Sequence, residues 1–112
     1  MFKFVTIYRR VDDEMKLEAF FSGVHLPLAE QLPGLLKTEV SRVIGKPGGL
    51  SRFHLMYELY FESERAFQAA MLSTPGLELT LALKPWAEAK LVSWFYGDSF
   101  AEEAHKPGVA QE

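Results

Sequence analysis

Nine consecutive residues, Phe53 to Phe61, constrain the fold of this chain more than any other segment. Phe53, Leu55, Tyr57, Leu59 and Phe61 alternate with His54, Met56, Glu58 and Tyr60, the period of a β-strand. Large side chains occupy both faces, whereas a strand from a half-solvated antiparallel sheet alternates apolar with polar. The same two-sided pattern holds in Phe2 to Arg9 and in Lys90 to Tyr96, where Leu91, Ser93 and Phe95 oppose Val92, Trp94 and Tyr96. A sheet of this kind needs a cover on each side. Helices of the same chain supply one cover, and a second copy of the sheet is the simplest candidate for the other, so a homodimer is expected.

The segments between the strands read as helices and turns. Asp12-Asp13-Glu14 supplies an N-cap and a negative first turn, and Leu17, Phe20, Phe21, Val24 and Leu28 come next at helical spacing, with Pro27 expected to kink or split that helix. Leu36 to Ile44 reads as another strand after the Pro33-Gly34 turn. Gly45-Lys46-Pro47-Gly48-Gly49 reads as a loop and as the segment expected to move most. Ser63 caps a helix reaching about Leu72 with Phe67, Ala70 and Met71 inward. Thr74-Pro75-Gly76 should break it, and Leu77 to Leu83 should form a short helix ended by Pro85. The order strand, helix, strand, strand, helix, strand is that of the ferredoxin-like βαββαβ unit: an α+β protomer with a four-stranded antiparallel sheet. Residues 1–97 are expected to form this domain and residues 98–112 a polar C-terminal tail.

Charge and composition narrow the partners. The formal net charge is −3 with scattered basic residues, which gives no footprint for nucleic acid or an anionic membrane surface. There is no cysteine, so disulfides, thiol catalysis and thiolate metal sites are excluded. No leader or membrane span is evident at the start or along the chain, and a cytoplasmic protein is expected. His25, His54 and His105 lie far apart without a clustered ligand, so no metal is expected, and the glycine-rich loop has no nucleotide-binding spacing, so no cofactor is expected either.

His25 is the leading candidate for chemistry. It falls at the edge of the apolar stripe of the first helix, where an imidazole can act as acid or base near neutral pH or orient a ligand oxygen. A histidine bonded to a neighbour purely for packing explains the same position. Glu58, inside the strongest strand, needs a partner. It can hold His25 or act as a base, or else pair with Lys3, Arg9 or Arg10 on a neighbouring strand. Tyr8, Tyr57, Tyr60, Trp86 and Trp94 are candidates for lining a pocket for a small hydrophobic or aromatic molecule, and equally for core or interface.

Tyr8-Arg9-Arg10, Phe20-Phe21, His25-Leu26-Pro27-Leu28-Ala29, Leu32-Pro33-Gly34-Leu35 and Glu58-Leu59-Tyr60-Phe61-Glu62-Ser63 together resemble the EthD family of dimeric α+β barrel proteins. The resemblance runs from Phe2 to about Phe95 and implies a ferredoxin-like protomer whose sheet faces that of a second copy. It also implies oxidoreductase-like or monooxygenase-like chemistry, or acid/base chemistry, on a small aromatic or polyketide-like substrate, with His25 at the family's histidine position. The other reading left open is a non-catalytic dimer that binds a hydrophobic metabolite or a partner protein.

Overall fold

The computed structural model describes residues 1–104, so His105 and most of the expected tail lie outside the described residues. Its elements are β1 (Phe2–Arg9), α1 (Glu14–Phe20), a π-turn (Phe21–His25), α2 (Leu26–Glu30), β2 (Lys37–Arg42), β3 (Phe53–Phe61), α3 (Glu64–Met71), α4 (Thr74–Glu88) and β4 (Val92–Asp98). The sheet is antiparallel throughout with strand order β2-β3-β1-β4, the ferredoxin-like arrangement. The α+β fold expected from the strand and helix order is therefore the fold observed.

Local chemistry accounts for most boundaries. Asp13 caps α1 by accepting the backbone N–H of Lys16 at 3.0 Å, and Ser63 caps α3 by accepting that of Ala66 at 3.1 Å, each satisfying an otherwise orphaned donor. Lys46 and Gly49 exchange backbone hydrogen bonds of 2.9 and 3.0 Å around Pro47-Gly48, and Gly48 takes φ of 89°. Those are the residues of a type II turn, with proline second and a left-handed glycine third. The loop expected over residues 45–49 is observed, built around this turn.

The second half of the helical layer differs from the sequence expectation. Thr74-Pro75-Gly76 interrupts the helices only to start the next one, α4, which runs through Pro85 to Glu88. Proline suits a first helical turn because its missing N–H has no partner there. Pro85 removes one bond near the end of α4, and Ala89 N–H still reaches the Pro85 carbonyl at 3.1 Å. Gly76 is required by proximity: a Cβ there would lie 2.4 Å from the Ala70 carbonyl oxygen, so only glycine lets α4 turn this tightly off α3.

Helices cover one sheet face, which carries Phe2, Phe4, Thr6 and Tyr8 of β1 against Phe61, Leu59, Tyr57 and Leu55 of β3. Phe67 of α3 stacks on Phe4 at 4.6 Å between ring centroids. The other face has an apolar centre of Val5, Ile7, Met56 and Phe95, but it becomes charged toward Lys3, Lys37, Glu39 and Glu58. On the edge strand β4, Trp94, Phe95 and Tyr96 remain substantially exposed. No helix among the described residues is long and apolar enough to cross a membrane.

Candidate functional site

Leu17, Phe21, His25 and Ala29 are all buried, each four residues after the last. In a regular α-helix four residues advance about 400°, so such a series drifts by roughly 40° per step and leaves a flat core face within three steps. The π-turn removes the drift. The Leu26 N–H reaches back five residues to the Phe21 carbonyl, the turn widens, and His25 stays aimed at the sheet. The split expected at Pro27 is thus a π-turn just before it, and the chain keeps right-handed helical angles through His25 and Leu26.

His25 is 1% exposed, and its Nδ1 lies 2.5 Å from the Tyr8 hydroxyl. That phenol has no other hydrogen-bond partner among the described residues, so its O–H donates and Nδ1 accepts, which leaves the proton of the neutral ring on Nε2. Burial pulls the His25 pKa down to about 4 and pushes that of Tyr8 up, so both groups are neutral at physiological pH. Nε2 has no protein hydrogen-bond partner among the described residues. Rings surround the pair: Tyr57 packs edge-on against His25 at 5.1 Å, and Trp86 meets Tyr8 at 5.7 Å and Phe20 at 4.8 Å.

Tyr57 is fully buried, and its hydroxyl is the one buried side-chain polar atom without a partner among the described residues. Burial pushes its pKa up to about 12 against a smaller lowering by Thr38, whose hydroxyl is nearby but outside hydrogen-bond geometry. An unsatisfied hydroxyl costs about 1–3 kcal/mol, a penalty usually met by a water or a ligand.

Four sequence candidates, Tyr8, His25, Tyr57 and Trp86, therefore converge on the helix side of the sheet. The others do not join them. Glu58 projects from the opposite face, where Oε1 accepts from Lys3 Nζ at 2.7 Å, so it cannot hold His25; the cross-strand pairing is what forms. That carboxylate raises the Lys3 pKa. Tyr60 shares that face, with Lys37 Nζ 4.6 Å from its ring centroid. Trp94 is on the helix side but lines a separate groove of about 340 Å3 with Phe4, Leu79, Leu83 and Ala87. A second groove, of about 390 Å3, is bounded by Val11, Lys16, Trp86 and Leu91. His25 lines neither groove.

Sequence reasoning missed a charged network on the same side. Tyr8 pairs with Leu55 whereas Arg9 pairs with Phe53, so His54 sits in a β-bulge and turns toward α1 instead of sharing a face with Met56 and Glu58. Its Nε2 lies 2.6 Å from Glu18 Oε2, and Arg42 grips the same carboxylate at 2.7 and 3.1 Å. The Arg42 hydrogen bond, with help from His54, holds the Glu18 pKa down to about 2. No sequence signal marks a one-residue bulge in an otherwise regular alternation.

No family model and no curated protein matches the chain. Among solved structures, HapK from Hahella chejuensis superposes with a TM-score of 0.61 at 14% identity, over 95% of this chain and 99% of that one. SnoaB, a cofactor-independent oxygenase from Streptomyces nogalater, gives 0.60 at 16% identity, over 92% and 94%. These two similarities establish fold alone. An EthD-family protein from Bacillus halodurans superposes with a TM-score of 0.83 at 29% identity, covering 89% of this chain and 99% of that one. With sequence and fold both similar along that length, the chain resembles this EthD-family protein, from the family its motifs also resemble.

Proposed function

We propose that this protein is a small-molecule enzyme using the Tyr8–His25 pair on a small aromatic or polyketide-like substrate, in oxygenase-like or proton-transfer chemistry. One observation carries the reading: a 2.5 Å hydrogen bond between two buried neutral groups, the Tyr8 hydroxyl and His25 Nδ1. With Nδ1 occupied by the Tyr8 hydroxyl, the Nε2–H is left to donate to a substrate oxygen, a contact that requires the packing around His25 to open, since the ring is 1% exposed and lines neither groove. A donor held in a dry, ring-lined site stabilises negative charge developing on a phenol or enol oxygen far better than water does. Such charge develops both when an electron-rich ring is prepared for oxygenation and when a proton leaves a carbon beside a carbonyl. The fold shared with SnoaB, a cofactor-independent oxygenase, supports the first of these as an analogy of architecture.

The test is turnover of a panel of hydroxylated naphthalenes and anthracenones, tracked by absorbance and oxygen uptake. His25→Ala should lower kcat/KM by about 10²–10⁴ on any substrate found, and Tyr8→Phe by less. Unchanged turnover in His25→Ala refutes the role. A second reading, a binding protein that leaves its ligand unaltered, is favoured by the apolar groove beside Trp94, which His25 does not line; ligand-induced stabilisation without substrate loss identifies it. In either case two copies are proposed to pack sheet to sheet over Ile7, Met56 and Phe95, in the cytoplasm. A monomer by light scattering at micromolar concentration overturns that assembly.

A further inference from the structure

His25 contacts two phenols that differ in one respect. The Tyr8 hydroxyl is spent on Nδ1, whereas the Tyr57 ring packs edge-on against both His25 and Phe21 while its hydroxyl has no partner among the described residues. Where a buried polar group lacks a protein partner, the missing partner is ordinarily a water or a ligand atom. The polar neighbours of this hydroxyl are Thr38 on β2 and the exposed Glu30 at the end of α2. It therefore faces the β2 edge of the sheet, opposite the two grooves, which flank β4 through Leu91 and Trp94 and which Tyr57 does not line. The elements here are lightly held. α2 spans five residues and β2 is an edge strand paired only with β3, so this is where the packing over His25 opens at least cost.

Charge and lone pairs select the partner. Burial, and to a lesser degree the Glu30 carboxylate, keep the Tyr57 phenol protonated, so it is a donor, and the same carboxylate disfavours a second anion beside it. A carbonyl oxygen is neutral and has two lone pairs, one for each hydroxyl. We propose that the Tyr57 and Thr38 hydroxyls hold a carbonyl oxygen of the substrate between them, apart from the oxygen that meets His25 Nε2–H. The second of these contacts rests on the enzyme reading; the carbonyl contact is read by binding alone. The free chain carries the unpaired hydroxyl as a cost to stability and the bound carbonyl removes it, so Tyr57 trades stability for recognition.

Two probes that differ by one carbonyl test the site: 5-hydroxy-1-tetralone and 5,6,7,8-tetrahydro-1-naphthol, titrated calorimetrically into the full chain. The wild type should bind the ketone about fivefold to tenfold more tightly, the worth of one net hydrogen bond. Tyr57→Phe should abolish that preference by weakening the ketone alone, while Tm rises, and Thr38→Val should reduce the preference in part. Equal affinity of the two probes for the wild type, failure of the wild type to bind the ketone, or a preference that survives Tyr57→Phe each overturn the proposal. So does a Tyr57→Phe variant that melts lower and binds both probes less tightly, because the hydroxyl is then structural. His25→Ala separates the two claims. A ketone preference kept by that variant, with turnover unaffected, leaves the carbonyl site standing and removes the catalytic role, whereas turnover that depends on His25 without any ketone preference does the reverse.

Discussion

Two tyrosines flank His25, and removing their hydroxyls should shift stability in opposite directions. Tyr8→Phe deletes the donor to Nδ1 and strands a buried acceptor, at a cost of about 1–3 kcal/mol. Tyr57→Phe deletes a hydroxyl that is buried without a partner, keeps the ring packed edge-on against Phe21 and His25, and relieves a desolvation penalty. The gain should lie near the low end of the same range, about 1 kcal/mol, because a small void replaces the oxygen. For a domain of this size 1 kcal/mol moves Tm by about 5 °C, so the two variants should melt about 10–20 °C apart with wild type between them. Calorimetry at pH 8, where His25 is neutral in both folded and unfolded chains, keeps protonation out of the comparison. If Tyr57→Phe is destabilised as much as Tyr8→Phe, its hydroxyl is satisfied and the argument for an orphaned group fails.

Other perturbations test the surroundings. His25 has a folded pKa of about 4 against an ordinary value of 6.5, so its contribution is complete above pH 6.5 and is lost as pH falls toward 4. The loss should reach about 3 kcal/mol in urea titrations, and His25→Gln should flatten that slope. Glu18, also depressed, acts in the same direction at lower pH, between 4.5 and 2, and Glu18→Gln should remove the steepening there. Gly76→Ala forces a Cβ against the Ala70 carbonyl and should cost about 1–3 kcal/mol, seen as a lower urea midpoint with unchanged slope.

The fold was legible because its signals are periodic. Alternation in Phe2 to Arg9 and Phe53 to Phe61, and the capping residues Asp13 and Ser63, place strands and helices without reference to anything distant. The site was only half legible. His25 stands out as a titratable residue beside an apolar stripe, but its tautomer depends on Tyr8, and nothing local states that β1 lies opposite the π-turn. Glu58 misled because period-two patterning says that a residue is on a face, not which face the helices will cover. The His54 bulge and the continuation of α4 through Pro85 escaped for a related reason: each is a local rule overridden by packing from another part of the chain. The Trp86 groove draws on Val11, Lys16 and Leu91, residues that no single window contains.

β1 lies inside the sheet, with β3 on one side and β4 on the other. Its neighbours in space are remote in the chain, since Phe2 pairs with Phe61 and with Asp98. Among the described residues, the one strand pairing that closes over a short loop is β2 with β3, across the Lys46–Gly49 turn. β1 is made before either of its partners, so it gains no edge to pair with until β3 has followed it, and its second edge closes only with β4. Slow, non-local closure of this kind leaves an apolar strand exposed during synthesis, and refolding should be limited by β1 insertion and not by helix formation.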